Sequence, residues 1–338
     1  MSPAAGVWLE FAVCAGLIGI AGSRLSRYGD VIADKTGLSG TWVGLILLAT
    51  VTSLPELITG ISAASLTRLP DIALGNVFGA CVFNLFMLVV LDFLHRGEPV
   101  YTRASQGHIL SAGFGIILIG FVAFNLLLAR HGTPPGFGHV GAYSLVIVLI
   151  YAIAVRTVFR YESNQMAELA ERHADRYPGI TLHQAVLRYT LYALVVMGAG
   201  LWLPFVSADL AQAMGWHVSF VGTVFVAFAT TLPEMVVTIA ALRLGALDMA
   251  ISNLLGSNLF NIVIIAVSDA FFTSGPILSY VSPVHVVSAV SALMMTGIVI
   301  VGLLYRSRTR LFRTVGWTSL FLLVIYLFNS YVLYLYGG

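Results

Sequence analysis

The sequence predicts an all-α integral membrane protein of about ten transmembrane helices in two inverted five-helix repeats. Three observations carry this: too little charge for a soluble globule, apolar stretches of spanning length throughout, and a long-range internal duplication. Hydrophobic residues fill 59% of the 338 positions and charged residues 9%, against roughly 25% charged in ordinary soluble domains. Segments near 7–24, 41–66, 71–93, 106–128, 140–160, 184–205, 218–242, 247–271, 283–304 and 314–335 approach the roughly 20 apolar residues that cross a bilayer. They leave no room for a soluble domain, and lipid is the expected solvent.

The first segment has no Lys or Arg before Arg24. It therefore lacks the basic start of a secretory signal and reads as a retained span, with the chain starting near Met1. Cys14 and Cys81 both fall within predicted spans and give neither a disulfide framework nor a metal-ligand spacing. Of the 17 Lys and Arg residues, all but Arg68 and Arg130 fall on one alternating set of connections. The positive-inside tendency assigns that side to the cytoplasm, so both termini face away from it. Topology thus accounts for the net charge of +2, and nucleic acid is not an expected partner. No obligatory protein partner is evident. A short chain without a targeting extension favours a prokaryotic plasma (inner) membrane.

The duplication aligns Gly37-Leu38-Ser39 through Thr52-Ser53-Leu54-Pro55-Glu56 with Gly215-Trp216-His217 through Thr230-Thr231-Leu232-Pro233-Glu234 at an offset of 178. After a one-residue slip it continues at 177, pairing Asn76 with Asn253, Gly79 with Gly256, Asn84 with Asn261 and Asp92 with Asp269. An odd number of spans per copy makes the second copy enter the membrane from the opposite side. Inverted repeats with interrupted helices at matching places are a recurrent transporter architecture, with the ion site where the copies meet. The expected layout is a first repeat over 1–160, with its motif at about 41–93, and a cytoplasmic linker over 161–183. The second repeat covers 184–338, with its motif at about 218–271.

Glu56 and Glu234 lie deep inside apolar spans. There an ionised side chain costs at least about 2.5–3.5 kcal/mol, so a functional site is the default reading. No Lys or Arg stands mid-span to pair with them, which leaves a shared cation as partner. Pro55 and Pro233 lack an N–H and clash with the carbonyls of Val51 and Ala229, so each helix should kink and free carbonyl oxygens there. Thr52, Ser53, Thr230 and Thr231 place hydroxyls in the same turns. Asn84 and Asn261 can add amide oxygens, while Gly79 and Gly256 read as close-packing positions and Asn76 and Asn253 more as helix glue than as ligands. Oxygen donors without His or Cys suit hard cations, and a flexible set of many oxygens suits Ca²⁺ better than Mg²⁺.

With these motifs in place, the chain resembles the sodium/calcium exchanger branch of the cation/calcium exchanger superfamily. The resemblance rests on Thr52-Ser53-Leu54-Pro55-Glu56 with Gly75 to Asn84, and on Thr230-Thr231-Leu232-Pro233-Glu234 with Asn253 to Asn261. It implies Ca²⁺ held mainly by Glu56, Glu234, Thr52 and Thr230, and Na⁺ sites using Ser53, Thr231, Ser257 and the carbonyls of Ala49 and Ala227. It also implies that the helices near 7–24 and 184–205 slide to alternate access. Two departures bear on the coupling ion: Ala80-Cys81 replaces the family's usual Ser-Asn, and Val51 and Ala229 replace its usual Gly. Asn261 stands where potassium-dependent relatives carry Asp.

The leading reading is a secondary active antiporter exchanging Na⁺ for Ca²⁺ by alternating access at a single midplane site, with no cofactor and no enzyme activity. H⁺/Ca²⁺ antiport comes second, because Ala80 and Cys81 weaken the Na⁺ set and buried glutamates can titrate. A cation channel with a carboxylate filter and an intramembrane enzyme come after these.

Overall fold

A computed structural model of the chain describes residues 3–95, 98–132, 134–169, 176–214, 226–311 and 315–336. Its helices, in chain order, are α1 (Pro3–Thr36), α2 (Gly40–Thr52), α3 (Leu54–Leu66), α4 (Pro70–Leu94), the short α5 (Val100–Arg103), α6 (Gly107–Ala129) and α7 (Ala142–Leu169). There follow α8 (Leu182–Met214), α9 (Val226–Thr230), α10 (Leu232–Arg243), α11 (Leu247–Phe271), α12 (Val284–Tyr305) and α13 (Trp317–Tyr336). Two small hairpins, β1 (Gly136–Phe137) with β2 (Val140–Gly141) and β3 (Arg310–Leu311) with β4 (Val315–Gly316), are each antiparallel and lead into α7 and α13.

Among the described residues, eight unbroken helices are long and apolar enough to span a bilayer, and α2 with α3 forms a ninth span bent by 41°. The chain is an integral membrane protein. The predicted span at 218–242 is described only from Val226 onward; its first residues, and linker residues 170–175, lie outside the described set. The other predicted spans coincide with helices, although α1, α7 and α8 run about a dozen, about nine and about nine residues past the predicted C-terminal ends near 24, 160 and 205.

Proline places the breaks, but not where the ring clash alone would. Ser53 leaves helical geometry at φ −89°, ψ 10° and Thr231 at φ −86°, ψ 2°. Each break thus falls two residues before its proline, so that Pro55 and Pro233 occupy the first turn of a new helix, where a missing N–H costs nothing. A second distortion had no signal in the hydrophobic pattern: Val43–Leu48 within α2 and Ala63–Thr67 at the end of α3 are π-helical, a widened winding that recurs at functional sites.

The chain forms two compact units, the first of residues 1–55 and 162–253, the second of 56–161 and 254–338. In the first, α1 packs along α8 and α10. Cys14 and Ile18 of α1 share an apolar cluster with Ala199, Leu203, Val206, Ala229 and Leu232. Glycines set the closest approaches here. A Cβ on Gly22 would meet Val236 Cγ1 at 2.9 Å, one on Gly200 would meet Pro55 Cγ at 2.8 Å and Pro233 Cγ at 3.4 Å, and one on Gly44 would run into Ser252 and the Met249 carbonyl. Gly79, expected to serve such packing, has nothing within 4 Å of that position. Beyond the apolar zone, Arg176 bonds Asp30 at 3.0 Å and Asp34 at 3.1 Å, and the Tyr177 hydroxyl donates to Asp30 at 2.6 Å. Burial, then that bond to Asp30, pushes the Tyr177 phenol up to about 12.

In the second unit α12 packs on α6, α4 and α13, with Phe86 stacked on Tyr326 at 4.3 Å. Asp92 and Asp269, the duplicated pair near the ends of α4 and α11, are fully buried rather than solvated. Asp92 accepts from Val100 N at 3.0 Å, Gly316 N at 2.7 Å and Ser319 Oγ at 2.7 Å. Asp269 accepts from Gly141 N at 2.8 Å, Ser144 Oγ at 2.6 Å, Tyr143 Oη at 2.7 Å and Ile277 N at 2.7 Å. Each carboxylate thereby satisfies amides at the start of another helix, α13 for Asp92 and α7 for Asp269, where the helix dipole also favours negative charge. Asp269→Ala is expected to cost about 2–4 kcal/mol, because several buried donors lose a charged acceptor. Thermal unfolding in detergent should show a clear drop for Asp269→Ala and little change for exposed Glu10→Ala; equal effects would mean that the aspartate is not a staple.

Candidate functional site

The first unit contains Ala49, Thr52, Ser53, Ala227, Thr230, Thr231 and Glu234 of the predicted set; the second contains Glu56, Asn84, Ser257 and Asn261. Both glutamates stand in the first turn of the helix that its proline restarts, Glu56 in α3 and Glu234 in α10. That is the helix end that favours an anionic side chain. Both are buried, as are the hydroxyls of Thr52, Ser53, Thr230 and Thr231.

Within the first unit, Ser53 Oγ donates to Glu234 Oε1 at 3.0 Å. The hydroxyl of the first motif is therefore in direct contact with the carboxylate of the second, which sequence spacing could not reveal. Glu234 Oε2 is buried and has no hydrogen-bond partner among the described residues. Thr52 Oγ1 donates to Leu48 O at 3.1 Å and to Ala49 O at 3.4 Å, and Thr231 Oγ1 donates to Phe228 O at 3.3 Å. A hydroxyl whose proton is committed to its own helix keeps lone pairs for an acceptor role. The Ala49 carbonyl also accepts the Ser53 N–H at 3.0 Å, so a cation there would share that oxygen with the helix. Ala227 lies in α9, one turn before Thr231.

Within the second unit, the side-chain oxygens of Asn84, Ser257 and Asn261 are buried and without a hydrogen-bond partner among the described residues. Asn84 Nδ2 donates to Asn258 Oδ1 at 3.1 Å, Asn258 Nδ2 donates to Cys81 O at 3.2 Å, and Cys81 Sγ contacts Asn258 O at 3.9 Å. Asn258 was not among the predicted site residues, although the offset that pairs it with Cys81 was visible. Asn76 Nδ2 donates to the Glu56 carbonyl at 3.3 Å; in the first unit Asn253 Nδ2 donates to Thr238 Oγ1 at 2.9 Å, while its Oδ1 is buried without a hydrogen-bond partner among the described residues. Buried oxygens with lone pairs directed at no donor are costly in a membrane interior, and a hard cation is the ligand that suits such a set.

The family model for sodium/calcium exchanger protein matches residues 6–159 and 183–333. The chain belongs to the sodium/calcium exchanger family. Among relatives of this exchanger-family chain, the inner membrane protein YrbG of Escherichia coli (strain K12) is 24% identical over 263 residues, covering 77% of this chain and 78% of the relative. The sodium/calcium exchanger MaX1 of Methanosarcina acetivorans is 27% identical over 277 residues, covering 73% and 77%. The Ca²⁺/H⁺ antiporter ChaA of Bacillus subtilis (strain 168) is 23% identical over 308 residues, covering 84% and 83%. The fold matches that of the sodium-calcium exchanger NCX_Mj, soaked with 10 mM Na⁺ and zero Ca²⁺, with a TM-score of 0.74 at 19% identity, covering 97% of this chain and 98% of that one.

These roles separate by stability. Asn253→Ala leaves Thr238 without its donor and should lower thermal stability by about 1–2 kcal/mol, whereas Ser257→Ala removes a hydroxyl with no hydrogen bond to lose and should stay within about 0.5 kcal/mol. Thermal melts of the two purified variants check this, and the reverse ranking would mean that the Asn253–Thr238 bond does not hold the helices together.

Proposed function

We propose that this chain is a secondary active antiporter of the plasma (inner) membrane of a prokaryote, exchanging Na⁺ for Ca²⁺ at one site by alternating access. The observation that carries this reading is the Ser53–Glu234 hydrogen bond, which puts oxygen ligands from both copies of the motif within one buried set. Glu56 and Glu234 supply the charge that balances one Ca²⁺ or two monovalent ions, so competition for shared oxygens couples the two fluxes. Thr52 and Thr230 complete the Ca²⁺ ligands. Ser53, Thr231, Ser257 and the carbonyls of Ala49 and Ala227 hold Na⁺, with Asn84 and Asn261 adding neutral amide oxygens.

The remaining features of this reading follow from the duplication. The repeats at 1–160 and 184–338 are inverted, the linker 161–183 is cytoplasmic, and both termini face away from the cytoplasm. Helices α1 and α8 are the moving elements. The long contact between them and the glycines where α1 meets α10 and α8 meets α3 and α10 support motion along their axes, because small residues let helices pack tightly without interlocking side chains.

H⁺/Ca²⁺ exchange is the second reading, favoured by one observation: Ala80 is buried where the second copy carries Ser257, so the first copy offers no hydroxyl at that place. The name of the Bacillus subtilis relative points the same way. Calcium uptake into proteoliposomes distinguishes them. Uptake driven by internal Na⁺, and abolished in both Glu56→Gln and Glu234→Gln while each variant keeps its fold, is the expected result. Uptake driven only by a pH gradient would replace Na⁺ with H⁺, and normal exchange by either glutamine variant would end the shared-site reading.

A further inference from the structure

The offset of 177 pairs Asn84 with Asn261, and Cys81 with Asn258. A symmetric molecule would hold both amide ligands in the same way. In the second unit, however, the Asn258 side chain is engaged at both ends, accepting from Asn84 Nδ2 at 3.1 Å and donating to the Cys81 carbonyl at 3.2 Å. The second contact ties Asn258 to the backbone of α4, one turn before Asn84, so the carboxamide of Asn258 has a fixed orientation. Because the Asn84 amide is planar, committing its NH₂ to Asn258 also fixes the direction of its oxygen. That oxygen is buried and receives no hydrogen bond among the described residues.

At the symmetry-related place the residue is Cys81. Its sulfur receives a side-chain hydrogen bond from Asn261, but sulfur is a weak acceptor and holds that NH₂ less firmly than the Asn258 oxygen holds that of Asn84. The two amide ligands are therefore unequally prepared for a cation.

We propose that Asn258 is a positioning residue for cation binding: it orients the Asn84 carboxamide so that its oxygen meets the transported ion, while Cys81 gives Asn261 only a weaker form of the same support. This rests on the reading above in which Asn84 is a cargo ligand. A ligand oriented in advance loses less freedom when the ion arrives, so the effect belongs in the Ca²⁺ affinity rather than in the maximal rate.

The test is a double-mutant cycle on the full-length chain in proteoliposomes, reading KM for Ca²⁺ and maximal flux separately. Asn258→Cys is the informative substitution, because the chain already carries cysteine at the equivalent place in its first copy. It should raise KM for Ca²⁺ about threefold to tenfold, the range of one lost hydrogen bond, with maximal flux nearly unchanged. In an Asn84→Ala background the same substitution should add nothing. An equal increase in both backgrounds, or no increase in either, overturns the positioning role. If Asn84→Ala alone leaves KM unchanged, Asn84 is not a ligand and the proposal falls with it, while abolished flux in Glu56→Gln shows that the antiport reading survives separately. Asn258→Ala, taken through the same cycle, decides the matter if the cysteine variant does not fold.

Discussion

A carboxylate inside hydrocarbon has to be balanced locally, and that constraint organises this chain. Hydrocarbon offers Glu56 and Glu234 no solvation, and no Lys or Arg lies mid-span to pair with them. The local backbone is shaped to compensate. Prolines restart the helices just before each glutamate, so the carboxylates face the positive ends of α3 and α10, and Ser53 donates directly to Glu234. What these contacts leave incomplete is a set of oxygens suited to a small hard cation. In the second unit the amide and hydroxyl oxygens of Asn84, Ser257 and Asn261 are likewise buried without a hydrogen-bond partner among the described residues, and they carry no charge.

Around this centre the polar chemistry is of a different kind. Asp92 and Asp269 are as buried as the glutamates, yet each is saturated by backbone amides and hydroxyls. A carboxylate with three or four donors is a structural anchor; Glu234, with one donor at Oε1 and none at Oε2 among the described residues, is not saturated in that way. Burial alone does not separate the two roles, and counting donors does.

Much of the fold and the chemistry was legible in the sequence because both are repeated. Helix positions followed from apolar length, and the paired Thr-Ser/Thr-Leu-Pro-Glu motifs singled out Glu56 and Glu234 without coordinates. The less legible parts depend on contacts between segments far apart in the chain. No local pattern announces that Ser53 reaches Glu234, that Asn258 holds Asn84, or that Asp269 gathers the start of α7 from over a hundred residues away. The π-helical turns escaped for another reason: one extra residue per turn barely disturbs hydrophobic periodicity. Gly79 misled because a small residue looks the same in sequence whether or not a neighbour approaches it, and close approaches fell instead at Gly22, Gly44 and Gly200 in the first unit and at Gly60 and Gly302 in the second.

The offset of 178 pairs Gly22 with Gly200 and Pro55 with Pro233, but the two glycines do not engage matching partners. Gly200 abuts Pro55, whereas Gly22 abuts Val236, three residues beyond the proline that symmetry would select. Three residues are about 4.5 Å of axial travel along a helix. Like a vernier, the two copies carry the same graduations and are read one mark apart. The repeat is therefore one of sequence and not of contact: equivalent glycines seat against non-equivalent residues of the two proline-started helices.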